Sequence, residues 1–362
     1  MSFHLLPYTH PDFTEERFLK APEAKLCPAP CDFTAPDNYH AMSIYPEYFK
    51  IDGEWRMAEE SRMDCVAVYE NGRIFVREFR HLKKGDLVVT GRTEDSSEGI
   101  YVHALGFEEG GGAHKELFAF RQSRSRETGF SKDYRELVGL LRHEREHGKI
   151  VWVAGPALCF DAGAREAFSR LIDNGFVHCL MAGNALATHD LEGAWLHTAL
   201  GQDISTLENM PGGHHNHLDT INRVRRYGSI PAFIEGEGID NGIIYSLVKN
   251  DIPFVLGGSI RDDGPLPEVI GNVYEAQDRM REQIRSATTV ISMATMLHSI
   301  AVGNMTPSFR VLPDGTVRQV YFYCVDVAEF TVNKLSDRGS LSSKGIVTNV
   351  QDFVTALSRD LC

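Results

Sequence analysis

Two rhythms of apolar positions divide the chain. From Phe49 to about residue 108 the apolar runs are short and separated by tight-turn signals. Asp52-Gly53 parts two such runs in FKIDGEWRMA, and Asn71-Gly72 parts VAVY from IFVREF, the dipeptide signature of a two-residue hairpin. LKKGDLVVTG and GIYVHALGF add further short runs, so this stretch predicts four or five strands joined by turns, a small β-rich domain. Residues 1 to about 45, rich in Pro, His and aromatics, show no clear period and read as an extended arm. The run EEGGGAH at 108–114 reads as a linker or loop. A helix is expected over 134–146, where Leu137, Leu140 and Leu141 recur at i, i+3 and i+4 and Gly148 follows the end.

From Lys149 strands alternate with helices. IVWVAGPAL predicts a buried strand, 162–174 a helix, and VHCLMAGNALATHD a strand and turn. Helix 220–227, a weaker strand at 230–234 and helix 241–249 follow. IPFVLGGSIRDDGPLP reads as a buried strand breaking into a glycine turn with two adjacent acids, and helix 272–286 comes next. TVISMATMLHSIAVGNM and VYFYCVDVAEFTVNKL complete the pattern, with a helix expected from near Ala328. Such alternation predicts an α/β fold with a doubly wound, mostly parallel sheet. The expected domains are 1–115, arm and β-rich region on the substrate side, and 116–362, the cofactor-binding α/β region.

Composition narrows the function. Hydrophobic content of 43% and charged content of 24% suit a globular chain. With 37 basic and 50 acidic side chains the net charge is −13, which argues against a nucleic-acid partner. No apolar run approaches a membrane span and no signal peptide is visible, so a cytoplasmic protein is expected. The 7 cysteines are odd in number and scattered, as in a reducing compartment. Cys27 and Cys31 lack a second ligand pair, and His214, His215 and His217 lack a carboxylate partner nearby, so no metal is expected.

In a parallel sheet ligands sit at the carboxyl ends of the strands, where every polar turn quoted above falls. GPA (155–157), AGNA (182–185) and GGS (257–259) would offer backbone N–H groups to a phosphate. No G-x-G-x-x-G occurs in this half, and 110–112 lacks a strand-to-helix setting. Asp326, closing VYFYCVD, fits either a ribose hydroxyl or a helix cap. His189-Asp190 and His298-Ser299 read as strand-end groups that carry protons or bond backbone.

These motifs together resemble a family. VAGPA, LMAGNALATHDLE, GGHHNHL, RRYGSI, GGSIRDDGPLPEVI, TMLHSIAVGNM, CVDV and LSDRGS…GIVT are similar to the LOR/SDH-type ornithine cyclodeaminases, which also form the C-terminal part of a bifunctional arginine dihydrolase/ornithine cyclodeaminase. DGEW, MDC and KKGDLVV extend the likeness thinly towards the N-terminus. The cofactor half resembles deoxyhypusine synthase, whose catalytic lysine has no counterpart here. The resemblance implies a Rossmann-type NAD domain and an ammonia-lyase that converts ornithine to proline, with NAD reduced and reoxidised within each cycle. It implies Asp262 or Asp263 as base and Gly183, Asn184, Asp240, Gly258, Ser259 and Asp326 as cofactor contacts; Gly155, Ala185, His298 and Ser299, at the strand ends, with Asn241, Met296 and Val327, complete the expected cofactor site. It also implies a homo-oligomer acting on a small amino acid. Lys84, Cys65 and Asp64 are candidates to hold the substrate from the small domain. Where the family carries a Thr-Thr-Asn-His-Pro-like motif this chain has Ala41-Met42-Ser43-Ile44-Tyr45-Pro46, which leaves the identity of the amino acid open. The loop 107–115 and the insert 313–315 also lie outside the family pattern. An NAD-dependent dehydrogenase or reductase with net turnover and a non-catalytic NAD-binding sensor are the competing readings.

Overall fold

The computed structural model describes residues 4–107, 131–262, 264–336 and 341–362. A short helix α1 (Glu16–Leu19) precedes seven strands: β1 (Lys25–Pro28), β2 (Glu47–Ile51), β3 (Glu54–Met57), β4 (Val66–Glu70), β5 (Arg73–Arg77), β6 (Leu87–Thr90) and β7 (Ile100–Val102). They form a four-stranded sheet in the order β1-β6-β4-β5 and a three-stranded sheet in the order β3-β2-β7, antiparallel throughout. Both hairpins turn where the sequence predicts. Asp52 and Gly53 have φ of 57° and 80°, Asn71 and Gly72 of 51° and 81°, the left-handed pairs a two-residue hairpin requires. Phe49, Ile74, Val76, Val89 and Ile100 pack between the sheets. β1 lies in the stretch read as an irregular arm, and the expected boundary at 115/116 and the loop 108–114 fall outside the described residues.

The second half begins with α2 (Ser131–His147), β8 (Ile150–Ala154), α3 (Ala162–Asp173), β9 (Cys179–Gly183) and α4 (Asn184–Leu196). After a short β10 (Thr198–Ala199) and β11 (Gln202–Asp203) come α5 (Asn216–Tyr227), α6 (Ile230–Glu237), α7 (Ile243–Lys249), β12 (Phe254–Gly257) and β13 (Val269–Ile270). The chain then runs through α8 (Val273–Ile284), β14 (Thr289–Met293), α9 (Met296–Met305) and a hairpin of β15 (Phe309–Val311) and β16 (Val317–Gln319), whose tip holds the insert 313–315. β17 (Tyr321–Asp326), α10 (Glu329–Ser336), β18 (Ser343–Val347) and α11 (Val350–Leu361) finish it. Seven strands make one parallel sheet in the order β13-β12-β9-β8-β14-β17-β18.

Side-chain alternation gives the sheet two buried faces. Trp152, Leu180, Leu256 and Ile291 meet α2, α3, α4, α7 and α11, while Val151, Val153, Met181 and Val290 meet α8, α9 and α10. From β8 the chain steps outward through β9, β12 and β13, then returns to the other side of β8 for β14, β17 and β18. The strand order therefore reverses between β8 and β14, where a doubly wound sheet opens a crevice.

Two sequence expectations are overturned. Residues 230–234 form the start of α6, not a strand: Ser229 accepts from the Ala232 amide at 3.2 Å and Pro231 sits in the first turn, a start signal that outweighs the apolar run. The stretch after β9 is helix α4 rather than a turn, buried on nearly every side, so it shows no apolar stripe. His189 and Asp190 consequently lie within a helix instead of at a strand end.

Candidate active site

The crevice floor is built from Gly155 and Ala294. A methyl group on Gly155 would lie 1.9 Å from the Ala294 carbonyl oxygen, so only glycine lets the ends of β8 and β14 close together. Ala294 is itself left-handed at φ 51°, a strained state for a non-glycine residue and of the kind that concentrates at functional sites. Around this floor two helices begin without side-chain caps, α4 after Gly183 and α9 after Thr295. By contrast α3, α6, α8 and α11 are capped by Asp161, Ser229, Asn272 and Asn349. Asp190 caps α7, accepting from the amides of Ile243 at 3.0 Å and Ile244 at 2.7 Å. The uncapped N–H groups thus lie beside the crevice, with the positive helix ends that suit a diphosphate.

His298, in the first turn of α9, reaches over the ends of β9 and β12. Its Cε1 would be 2.9 Å from a methyl on Gly183 and its Nε2 3.5 Å from one on Gly257. The Thr295 hydroxyl, spared from capping, lies 3.2 Å from Nδ1 and orients the ring. Burial lowers the proton affinity of His298, and the nearby Asp262 carboxylate partly restores it, so the ring stays neutral at pH 7. Asp262 folds back on its own turn, Oδ2 accepting from the Ser259 amide at 2.8 Å. A carboxylate and a neutral imidazole beside backbone donors can exchange protons with a bound ligand.

Of the residues expected here, Gly155, Gly183, Ala185, Gly258, Ser259, Asp262, Met296 and His298 lie on this rim; Asp263 lies outside the described residues. Asn184 begins α4, but its side-chain oxygen accepts from the Leu266 amide at 3.0 Å and braces the loop. Ser299 faces the sheet, bonded to Ser292 of β14. Asp326 accepts from the Ala328 amide at 2.8 Å, the capping alternative, and Val327 beside it is exposed. Asp240 and Asn241 line a groove of about 430 Å³ between α3 and α7, on the opposite face of the sheet from α9. Lys84 is exposed on the turn before β6, its amide donating to Asp32. Cys65 is 1% exposed, and burial pushes its thiol up to about 11, so it carries no thiolate at neutral pH. Among the described residues no three His, Cys, Asp or Glu side chains form a metal-binding group. Sequence reasoning missed Ala294 and Thr295; the only signal was the small-residue run between strand and helix in SMATML.

Fold and site define a Rossmann-type α/β protein with a crevice at the reversal of strand order, edged by Asp262 and His298. Residues 136–357 match the model of the "Arginine dihydrolase ArgZ-like, C-terminal, Rossmann fold" family and 46–128 that of its "C-terminal, first region". The ornithine cyclodeaminase of Methanopyrus kandleri is 40% identical over 342 residues, 94% of this chain and 78% of that protein. The bifunctional arginine dihydrolase/ornithine cyclodeaminase ArgZ of Synechocystis is 40% identical over 333 residues, 90% of this chain and 45% of that protein. A LOR/SDH protein of Methanococcus maripaludis superposes with a TM-score of 0.84 at 35% identity, over 94% of this chain and 98% of the other. AgrE in ternary complex with ornithine and NAD+ superposes with a TM-score of 0.58 at 36% identity, over 94% of this chain and 46% of the other. The chain belongs to the ArgZ-like C-terminal family, that of the ornithine cyclodeaminases.

Proposed function

We propose that this chain is an NAD-dependent ornithine cyclodeaminase, an ammonia-lyase that converts a basic amino acid to a cyclic imino acid, ornithine to proline. The observation that carries this reading is the meeting of Asp262, His298 and two uncapped helix starts at the one crevice where the strand order reverses. The N–H groups at the starts of α4 and α9 would hold the diphosphate, and Gly183, lacking a side chain, lets His298 close over the strand ends beside them. Bound NAD would supply a reversible hydride acceptor for the substrate α-carbon. Asp262, steadied by the Ser259 amide, takes the proton of the α-amine. Neutral His298 accepts or returns a proton as the side-chain amine closes the ring and ammonia departs. Ornithine yields proline and ammonia, so the cycle is redox-neutral and NAD is not consumed.

A homo-oligomer fits the same rim, because Ile260, Val273, Tyr274, Leu297, Val327 and Phe330 are large apolar side chains left exposed around it. All seven cysteines are free, which supports a reducing, cytoplasmic setting.

The reaction is tested by incubating the protein with NAD and ornithine, lysine or arginine and following ammonia and nicotinamide absorbance. Ammonia with substoichiometric NAD supports the cyclodeaminase, whereas NADH accumulating one-for-one with product makes the protein a dehydrogenase. Silence on every substrate ends the proposal. Asp262→Asn should abolish ammonia release while leaving NAD affinity intact.

A further inference from the structure

A threonine just before a helix ordinarily turns its hydroxyl onto an amide of the first turn. Thr295 stands in that place before α9, with extended backbone at φ −147° and ψ 106°, but its side chain makes no cap bond. The hydroxyl meets Nδ1 of His298 instead, at 3.2 Å. The floor of the crevice fixes where it stands. Ala294 next to it is left-handed at φ 51°, and a methyl on Gly155 would lie 3.2 Å from Thr295 Cβ, so the side chain is seated against the end of β8. No second hydrogen bond of this hydroxyl occurs among the described residues.

The other ring nitrogen is left open. Nε2 of His298 has no hydrogen-bond partner among the described residues, and it lies 3.7 Å from the place of a Cβ on Gly183 and 3.5 Å from that on Gly257. The ring is thus held from behind at Nδ1 while Nε2 stands at the strand ends, within the field of Asp262. What holds Nδ1 decides what Nε2 can do. A carboxylate there would fix a proton on Nδ1 and favour the charged ring. A hydroxyl is neutral and rotates, so it accepts from Nδ1–H and equally donates to a bare Nδ1. The positive start of α9 works in the same direction, because it disfavours a permanently charged ring.

We infer that Thr295 is a positioning residue for proton transfer by His298: its hydroxyl keeps Nε2 aimed at the crevice while leaving the ring uncharged at rest. The inference rests on the cyclodeaminase reading only for the identity of the reaction. When Nε2 takes a proton, the ring becomes imidazolium and Nδ1–H donates to the Thr295 oxygen. When Nε2 returns that proton, the neutral ring is restored with the same contact in place. Thr295 acts through the ring and not on the substrate. The same contact accounts for the uncapped start of α9, because the hydroxyl is engaged by the ring instead of by an amide.

Thr295→Val keeps the branched shape and removes the hydroxyl, whereas Thr295→Ser keeps the hydroxyl. Thr295→Val should lower kcat roughly tenfold, the scale of one lost hydrogen bond to a charged group, and leave KM for ornithine and the dissociation constant for NAD little changed. Thr295→Ser should recover most of kcat. Ring-proton NMR of the NAD-loaded protein without substrate, with His298 assigned by its loss in His298→Gln, reads the contact apart from the reaction. The His298 titration should move to lower pH in Thr295→Val, where the imidazolium has lost its acceptor, and return in Thr295→Ser. A titration that shifts in this way, with no ammonia from any amino acid, upholds the positioning of the ring and removes the reaction. Turnover with both kcat and the titration unmoved in Thr295→Val removes the positioning role and leaves the reaction standing, and so does a loss of kcat that Thr295→Ser fails to recover.

Discussion

The side-chain oxygen of Asn184 accepts the amide of Leu266 at 3.0 Å, so the first residue of α4 holds the far end of the loop that carries Asp262. Two further bonds brace the same segment: Arg225 Nη1 donates to the Pro265 carbonyl at 2.7 Å, and the Ile230 amide donates to Glu268 at 2.6 Å. Three helix-side groups thus fix the loop from behind, leaving the Ser259–Asp262 turn to face the crevice. Asn184→Ala removes one acceptor and leaves the Leu266 amide unpaired. It should lower kcat about tenfold, the equivalent of about 1.4 kcal/mol, and speed proteolysis within 258–267. Asn184→Asp retains the acceptor and should restore protection from proteolysis, while its charge weakens NAD binding at the helix start. Equal protease resistance in Asn184→Ala and the parent would refute the bracing role.

The His298–Asp262 relationship gives a pH prediction. Burial lowers the proton affinity of His298 and the Asp262 charge raises it, so Asp262→Asn should move the His298 titration to lower pH still. Ring-proton NMR against pH reads this directly, and an upward shift would contradict the arrangement. Burial also depresses His81, His103 and His178. Below about pH 6.5 the unfolded chain binds protons that the folded chain refuses, so stability should fall as pH drops from there and be fully present above it. Thermal unfolding from pH 8 to pH 5 should show Tm declining only in the lower part of that range.

Much of this architecture is legible in the chain because the deciding interactions are local. Asp52-Gly53 and Asn71-Gly72 announce hairpins through φ values that few other pairs adopt, and IVWVA and TVISM announce buried strands by composition alone. Where the deciding contact is distant the sequence is silent. Asn184 reads as a phosphate-turn residue, yet its partner Leu266 is 82 residues away. The role of Ser299 depends on Ser292 across a strand-to-helix turn, and Asp240 is carried to the far face of the sheet by the path of α6 and α7. α4 was obscured for another reason: a helix buried all round has no polar stripe to betray its period.

At the domain seam Glu78 receives both Arg62 and Arg281, the latter at 2.7 Å, and also Arg80. Burial works against its charge, but Arg62 and Arg281 outweigh that and hold the carboxyl below its usual value. Arg80 extends the network to Asp278 of α8 at 2.7 Å, so the seam is tied by charge pairs that are mostly out of solvent. Glu78→Gln leaves three guanidinium groups without their shared anion and should cost about 3 kcal/mol in denaturant unfolding. A loss below about 0.5 kcal/mol, the size of an exposed pair, would show that the network is solvated.

A deeply buried charge pair that also caps a helix makes the sharpest stability prediction. Arg165 Nε donates to Asp190 Oδ1 at 2.9 Å, with Arg165 5% and Asp190 0% exposed. The same carboxylate accepts from the amides of Ile243 and Ile244, so one group both neutralises α3's arginine and caps α7. Asp190→Ala removes the cap and strands a buried cation, and it should destabilise by about 3–5 kcal/mol. Adding Arg165→Met removes the stranded charge but not the missing cap, so the double variant should recover most of the loss and remain about 1 kcal/mol below the parent. Denaturant midpoints of the four proteins measure the coupling. If the two losses simply add, the pair is not acting as a unit and the capping of α7 alone accounts for Asp190.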